Sequence, residues 1–150
     1  MIRIFLSIGS NIEPKKNIPA CLKALHEELH LKKISSVYET APEGPAGSEN
    51  FWNAAVEIET ELDLEHLTEK LRGIENRLGR RRDSKNKFAP RTIDLDILPQ
   101  EDYQKRAFIM IPLAEIAPEE RDSETGKSFL ELAESLKKNR TGFKKVPFIP

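Results

Sequence analysis

The sequence has few of the residues that stabilise small secreted domains or build sulfur metal sites. Its single cysteine, Cys21, excludes a disulfide framework and a cysteine-based zinc site. Its longest apolar run, residues 2–8, is interrupted by Arg3 and Ser7 and is too short to cross a membrane. No secretory cleavage pattern accompanies that run. We therefore expect a protein of the reducing cytoplasm.

The chain also lacks a net charge of one sign, because 24 basic and 25 acidic side chains nearly cancel among 150 residues. Bulk binding to a long polyanion is therefore not indicated. The charges are unevenly spread, since the segment 77–91 holds seven basic residues and one acid, Asp83. A cationic segment in an acidic body indicates a small, highly charged anion as the ligand, although a solvated surface loop would have the same composition.

The hydrophobic pattern predicts one domain, residues 1–150, of the α+β class. Period-two and helical spacings alternate in the order strand, helix, strand, strand, helix, strand, which is the order of a ferredoxin-like fold. The predicted segments are 2–8, about 15–30, 31–40, 53–62, a helix from Asp63 to Gly79, and 92–98. This order predicts an antiparallel sheet with the helices on one face.

Three further local features follow from the same pattern. Pro19 fits the first helix only in its first turn, where a missing N–H costs little. Two short helices, at about 113–117 and 128–138, are predicted after the sheet. The basic tail, Lys137 to Lys145, is expected to be a solvated helix end and terminus.

Asp94 and Asp96 are the strongest candidates for chemistry. At positions i and i+2 of a strand they point the same way, roughly 7 Å apart at Cα. Two neighbouring carboxylates repel each other unless a cation lies between them, and Mg²⁺ prefers one or two carboxylates plus substrate phosphates. A charged strand edge that prevents aggregation would show the same pair. Arg80, Arg82 and Arg91 precede this strand, and arginine forks bind phosphate oxygens.

A glycine-rich phosphate loop is absent, because Gly9-Ser10-Asn11 has the spacing of neither a Walker loop nor a dinucleotide fingerprint. Any nucleotide would therefore be held by metal and arginine. Aromatic residues near Asn53 could enclose a planar heterocycle, whose edge the carboxamide could read; ordinary core packing is the alternative. These aromatic residues are Phe51, Phe88 and Phe108.

Several ordered segments resemble the family of 6-hydroxymethyl-7,8-dihydropterin pyrophosphokinases of folate biosynthesis. The most specific is KFAPRTIDLDIL at 87–98, which contains both aspartates. The others are IGSN at 8–11, SSVYET at 35–40, FWNAAV at 51–56, IE at 74–75, GRRR at 79–82 and PLAEIAPE at 112–119. The resemblance covers residues 1–120 approximately.

This resemblance implies a ferredoxin-like fold and transfer of pyrophosphate from ATP to the hydroxymethyl group of a reduced pterin, with release of AMP. It implies two Mg²⁺ ions held by Asp94 and Asp96, and small-molecule substrates without nucleic acid or membrane partners. We expect a monomer. The implied catalytic residues are Arg80, Arg82, Arg91, Asp94 and Asp96. The implied ATP-binding residues are Glu75, Arg80, Arg82, Arg91, Ile97 and Arg106, and the pterin-binding residues are Thr40, Pro42, Glu43, Phe51, Asn53, Phe88 and Phe108.

The chain departs from the family pattern in three places. The segment between Leu98 and Arg106 is about fourteen residues shorter here than in the family pattern. The missing hairpin helps enclose the adenine base, so its loss predicts weaker or relaxed nucleotide recognition. Phe88 replaces a usual tryptophan, and Glu43 adds a negative charge where an apolar residue is common.

Two alternatives to the enzyme remain at this point. The first is a relative that binds pterin or nucleotide without turnover, or that acts on another heterocyclic alcohol; an unused Asp-x-Asp pair would be an electrostatic cost, which argues against the non-catalytic form. The second is an RNA-binding ferredoxin-like domain. No strand carries the interleaved aromatic and basic residues typical of such sheets.

Overall fold

The computed structural model describes residues 1–40, 51–79, 93–138 and 144–146. Its strands are β1 (Ile2–Ser10), β2 (His30–Ile34), β3 (Val37–Thr40), β4 (Phe51–Thr60), β5 (Asp94–Leu98) and β6 (Lys144–Val146). Its helices are α1 (Pro14–Glu28), α2 (Leu64–Arg77), α3 (Ala107–Ile116) and α4 (Phe129–Lys137), with one 3-10 turn at Tyr103–Lys105. Among these helices, none is long and apolar enough to cross a membrane.

The described strands form one antiparallel sheet in the order β5-β1-β4-β3-β6, and β2 also pairs with β4. The predicted single strand 31–40 is two strands that lie along successive parts of β4. The break falls at Ser35, whose hydroxyl accepts a hydrogen bond from the Ala55 N–H at 2.9 Å. A side chain thus replaces one step of the backbone ladder, and the order of a ferredoxin-like sheet is kept.

The two faces of the sheet carry separate hydrophobic cores. The apolar sides of α1 and α2 pack with Leu6, Ile8 and Leu95 on one face. Helices α3 and α4 pack with Phe5, Ala55 and Leu98 on the other. The two helices of the ferredoxin-like core therefore share a face, as predicted, while the C-terminal helices cover the opposite face.

Helix α2 shows how local sequence sets the ends of an element. Asp63 caps its N-terminus by accepting a hydrogen bond from the His66 N–H at 2.8 Å. Gly79 follows its C-terminus with a φ of 88°, a conformation that glycine adopts without strain. Both boundaries agree with those predicted. They matter for function because three consecutive arginines of the cationic segment, Arg80 to Arg82, directly follow this glycine in the sequence.

Three predicted features differ from the structure. Helix α1 begins at Pro14, so Pro19 lies inside the helix and its predicted place in the first turn is wrong. Helix α3 starts at Ala107 rather than near residue 113. The hydrophobic pattern did not predict its first half, because the helix is buried almost all round and shows no helical period. Part of the basic tail forms β6, which pairs Lys145 with Tyr38, so a wholly solvated terminus is also wrong.

Cys21 lies on the buried side of α1 and is fully enclosed. Burial, followed by the charge of Glu75, raises the pKa of its thiol to about 12. The thiol therefore stays protonated at neutral pH and serves as a small apolar group in the core.

Candidate active site

Three predicted site segments meet because of strand register. Gly9 on β1 pairs with Asn53 on β4 on one side and with Asp94 on β5 on the other. Residues directly opposite each other in a sheet share a face, so Asn53, Gly9 and Asp94 form a row across three strands. Two strand spacings, about 9–10 Å, separate the ends of this row. The predicted pterin-reading and metal-binding residues therefore lie on one face.

Gly9 leaves open space in the middle of that row. A Cβ atom at this position would lie 3.3 Å from Asn53 Oδ1 and 3.8 Å from Phe51 Cδ1. The first distance is tighter than ordinary van der Waals contact, so a side chain here would displace the carboxamide. Glycine is needed at this position for close approach, which gives a physical reason for the IGSN segment.

Asn53 is buried and held from one side. Its Nδ2 donates a hydrogen bond to Thr40 Oγ1 at 2.9 Å, and the backbone of Thr40 pairs with Phe51. This bond restrains the carboxamide on the β3 side. The structure thus brings together three of the predicted pterin residues, Thr40, Phe51 and Asn53, where β3 and β4 meet.

Asp94 and Asp96 lie on the same face of β5, as their spacing predicts. Their backbones pair with Gly9 and Ser7 of β1, and both side chains are half-buried. Leu95 between them is fully buried in the opposite core. The pair therefore faces away from α1 and α2, on the side that carries the row of Asn53 and Gly9.

The donor set agrees with Mg²⁺ bound together with a substrate. Within the described ranges, no group of three or more histidine, cysteine, aspartate or glutamate side chains could form a protein-only metal cage. Mg²⁺ keeps several waters and is usually bound by one or two carboxylates plus phosphate oxygens, so it does not need such a cage. Asp94 and Asp96 are the carboxylates that fit this mode.

Glu75, predicted on the ATP side, is fully buried in α2. Its Oε2 accepts the N–H of Leu95 at 2.7 Å and lies 2.9 Å from Arg72 Nη1. A direct contact between Glu75 and the nucleotide stays a prediction. Ile97, also predicted on the ATP side, is partly buried in the core that contains the apolar sides of α1 and α2. A contact between Ile97 and the nucleotide also stays a prediction.

The predicted residues beyond β5 lie at the start of α3. Arg106 directly precedes this helix and is half-buried, and Phe108 in its first turn is partly buried against the second core. Both residues follow β5 after a short connection, which contains one 3-10 turn. Tyr103 of that turn donates a hydrogen bond to the buried Asp122 at 3.0 Å, which anchors the connection to the segment before α4.

The remaining predicted site residues lie outside the described residues. They are Pro42, Glu43, Arg80, Arg82, Phe88 and Arg91. Their predicted roles rest on the sequence, and their two segments begin directly after Thr40 and after Gly79. Both starting points adjoin elements that carry the site, β3 and α2.

Sequence reasoning missed the role of Glu115. This residue of α3 accepts hydrogen bonds from the N–H and hydroxyl of Ser36, each at 2.6 Å, and another from the Tyr38 hydroxyl. Burial by itself would raise the pKa of Glu115, but these hydrogen bonds outweigh it and lower the pKa below the ordinary value of 4.5. The contact joins two of the family-like segments and fixes α3 against β3. The available signal was the presence of glutamate in one segment and hydroxyls in the other.

Replacing Glu115 with glutamine should destabilise the fold in a pH-dependent manner. The lowered pKa means that the carboxylate stabilises the native state at neutral pH and loses this effect as pH falls below 4.5. We expect a loss of about 1 kcal/mol in the free energy of unfolding at pH 7, a small value because the contact is partly exposed. The difference from wild type should shrink towards pH 3 in urea titrations. Glu119→Gln, an exposed residue beyond the same helix, is the control; a constant difference across pH would contradict the assignment.

Comparison with known proteins shows the family to which this chain belongs. Residues 5–118 match the sequence model of the family described as 7,8-dihydro-6-hydroxymethylpterin-pyrophosphokinase (HPPK). The chain belongs to this family. The predicted family is thereby confirmed.

Curated relatives of this pyrophosphokinase family support the same conclusion. The 2-amino-4-hydroxy-6-hydroxymethyldihydropteridine pyrophosphokinase of Haemophilus influenzae is 37% identical over 134 residues, covering 78% of this chain and 82% of the relative. The protein of the same name from Bacillus subtilis is 37% identical over 129 residues, covering 75% and 76%. These matches favour the predicted pyrophosphokinase over a relative that only binds its ligands.

A solved structure supports the fold. The HPPK-DHPS crystallised in complex with substrates aligns with a TM-score of 0.75 at 14% identity, covering 95% of this chain and 48% of that one. At this low identity the likeness concerns the fold, which is the predicted α+β, ferredoxin-like arrangement. The family match and the fold agree.

Proposed function

We propose that this HPPK-family chain transfers a pyrophosphoryl group from ATP to the hydroxymethyl group of 6-hydroxymethyl-7,8-dihydropterin at the site defined by Asn53, Gly9 and Asp94. The observation that carries this proposal is the row these residues form across β4, β1 and β5. A carboxamide and a carboxylate pair on one face support a site that binds a heterocycle through the first and a metal–phosphate group through the second. The separation leaves room for the ring at one end and the phosphates at the other.

Each described residue has a defined task in this proposal. Asn53, oriented by Thr40, reads the edge of the pterin, and Phe51 lies beside it. Asp94 and Asp96 hold Mg²⁺, which neutralises the charge of the triphosphate when bound. The hydroxymethyl oxygen attacks the β-phosphorus in line and gives its proton to Asp94 or Asp96, the bond from the β-phosphorus to the oxygen of the α-phosphate breaks, and AMP leaves. The chain thus orients its substrates and balances their charge without a covalent intermediate.

The residues outside the described ranges complete this proposal from the sequence. We infer that Arg80, Arg82 and Arg91 contact the triphosphate, because they remain charged at any working pH and bind phosphate oxygens two at a time. Pro42, Glu43 and Phe88 belong to the pterin side. Phe108 belongs to the same side, and Arg106 and Ile97 belong to the ATP side. Two Mg²⁺ ions, a monomeric state, a single domain and a cytoplasmic location are further predictions.

The direct test is AMP release from Mg²⁺-ATP with and without 6-hydroxymethyl-7,8-dihydropterin. We expect AMP only when the pterin is present, in a one-to-one ratio with pterin diphosphate. Parallel reactions with GTP test the effect of the short connection after β5. AMP release that does not depend on pterin, or none with any nucleoside triphosphate, would overturn the proposal and leave a different heterocyclic alcohol as the substrate to identify.

A further inference from the structure

The outer edge of β5 is closed by two side chains of α2 instead of by another strand. Leu95 donates its N–H to Glu75 Oε2 at 2.7 Å and accepts at its carbonyl oxygen from Arg72 Nη1 at 2.8 Å. Glu75 Oε2 and Arg72 Nη1 are themselves 2.9 Å apart. The four groups form a closed ring in which both backbone groups of one strand residue are bonded to a single ion pair.

The position of this ring follows from strand geometry. The N–H and C=O of one strand residue point to the same edge, so both groups of Leu95 point away from β1. Among the described strands, β5 lies at the end of the sheet, where unpaired backbone groups would otherwise meet solvent. The ion pair imitates the backbone of a missing neighbour strand. It does so at Leu95, the residue between Asp94 and Asp96.

The energetic cost of this arrangement indicates that it has a purpose beyond stability. The side chain of Glu75 is 1% exposed and that of Arg72 is 33% exposed, and an ion pair with a buried carboxylate is often no more stabilising than well-packed apolar residues. An apolar pair could fill the same space between α2 and β5. Only a pair that offers both a hydrogen-bond donor and an acceptor can hold the peptide groups on both sides of Leu95 in one orientation.

We propose that Glu75 and Arg72 are positioning residues that fix the spacing and direction of Asp94 and Asp96 for cation binding. Backbone pairing to Gly9 and Ser7 holds β5 from one side at these two positions, and the ring at Leu95 holds it from the other. The carboxylates then emerge from a strand restrained along both edges. Glu75 acts through Leu95 and needs no contact with the nucleotide. This inference rests on the proposed role of Asp94 and Asp96.

Four variants separate this role from simple packing. Glu75→Leu keeps the bulk of the side chain but removes the acceptor. Glu75→Gln keeps an oxygen that can accept from both Leu95 and Arg72, and should rescue the function. Arg72→Met keeps the aliphatic stem but removes the donor to Leu95. Lys70→Met is the matched control, since Lys70 is on the same helix but pairs with Glu28 of α1.

Two measurements are made on each full-length variant. Hydrogen exchange at the Leu95 amide, followed by NMR, reports the ring directly. Electron paramagnetic resonance of Mn²⁺, titrated in the presence of a non-hydrolysable ATP analogue, reports the carboxylate pair without turnover. Pterin binding, followed by fluorescence, confirms that each variant is folded.

We expect Glu75→Leu and Arg72→Met to weaken Mn²⁺ binding about tenfold or more, and Glu75→Leu to speed exchange at Leu95 by a similar factor. Glu75→Gln and Lys70→Met should stay within threefold of wild type. If Glu75→Leu loses Mn²⁺ binding while Arg72→Met binds Mn²⁺ as wild type does, the inference is overturned in favour of a direct contact between Glu75 and the nucleotide. Unchanged Mn²⁺ binding in both would also overturn it. A wild type that binds Mn²⁺ but forms no AMP with pterin would instead count against the proposed function.

Discussion

Asp96→Asn should reduce pterin-dependent AMP release by about 10²- to 10³-fold, the range seen when one preorganised electrostatic group is removed from an active site. Asp94 and Asp96 share one face of β5 and pair with neighbouring residues of β1. Loss of one charge leaves the cation with a single carboxylate and leaves the charge developing on the departing AMP less stabilised. The measurement is AMP formation per second at saturating Mg²⁺, ATP and pterin.

The same variant should remain folded, because asparagine has nearly the shape and volume of aspartate and only the charge is removed. Thermal unfolding of the metal-free protein checks that the loss of activity is not a loss of structure. Asp102→Asn is the matched control, because it makes the same chemical change in the 3-10 turn after β5. Activity of Asp96→Asn within tenfold of wild type would show that this carboxylate does not hold the cation.

Asn53→Ala should raise the KM for the reduced pterin by about 10- to 100-fold, which corresponds to the loss of one or two hydrogen bonds at a buried site. Asn53 is 4% exposed, and its amide is oriented by Thr40. The pterin edge would face alanine and keep unpaired polar groups after desolvation. The KM for ATP should stay within twofold, because the nucleotide is expected at the Asp94 end of the row.

Two neighbouring substitutions sharpen this second test. Gly9→Ala should raise the pterin KM in the same direction, since its Cβ would lie 3.3 Å from Asn53 Oδ1. Glu39→Gln is the control, because its carboxylate bonds Trp52 Nε1 on the opposite face of the sheet and the amide can still accept that bond. Equal changes in the KM for ATP and for pterin in Asn53→Ala would indicate a general disturbance of β4 rather than a pterin contact.

Local patterns determined much of this protein without any tertiary information. Period-two alternation around Asp94 and Asp96 was enough to place both carboxylates on one face, because side chains alternate along any strand. Asp63 and Gly79 marked the ends of α2, since capping depends on backbone groups within a few residues. The segments that resemble the family indicated both the family and the reaction that it implies. The start of α3 was not predicted from local sequence, because apolar residues lie on all sides of this helix and leave no visible period.

The tertiary structure decided which distant residues meet. The sequence identified Asn53, Gly9 and Asp94 separately, but only the register of β1 with β4 and β5 aligned them, and register depends on how whole strands bury their faces. The contacts of Glu115 with Ser36, and of Glu75 with Leu95, likewise join residues far apart in the chain. Hydrogen bonds of this kind form where packing removes water, which is a property of the assembled core and not of any short segment.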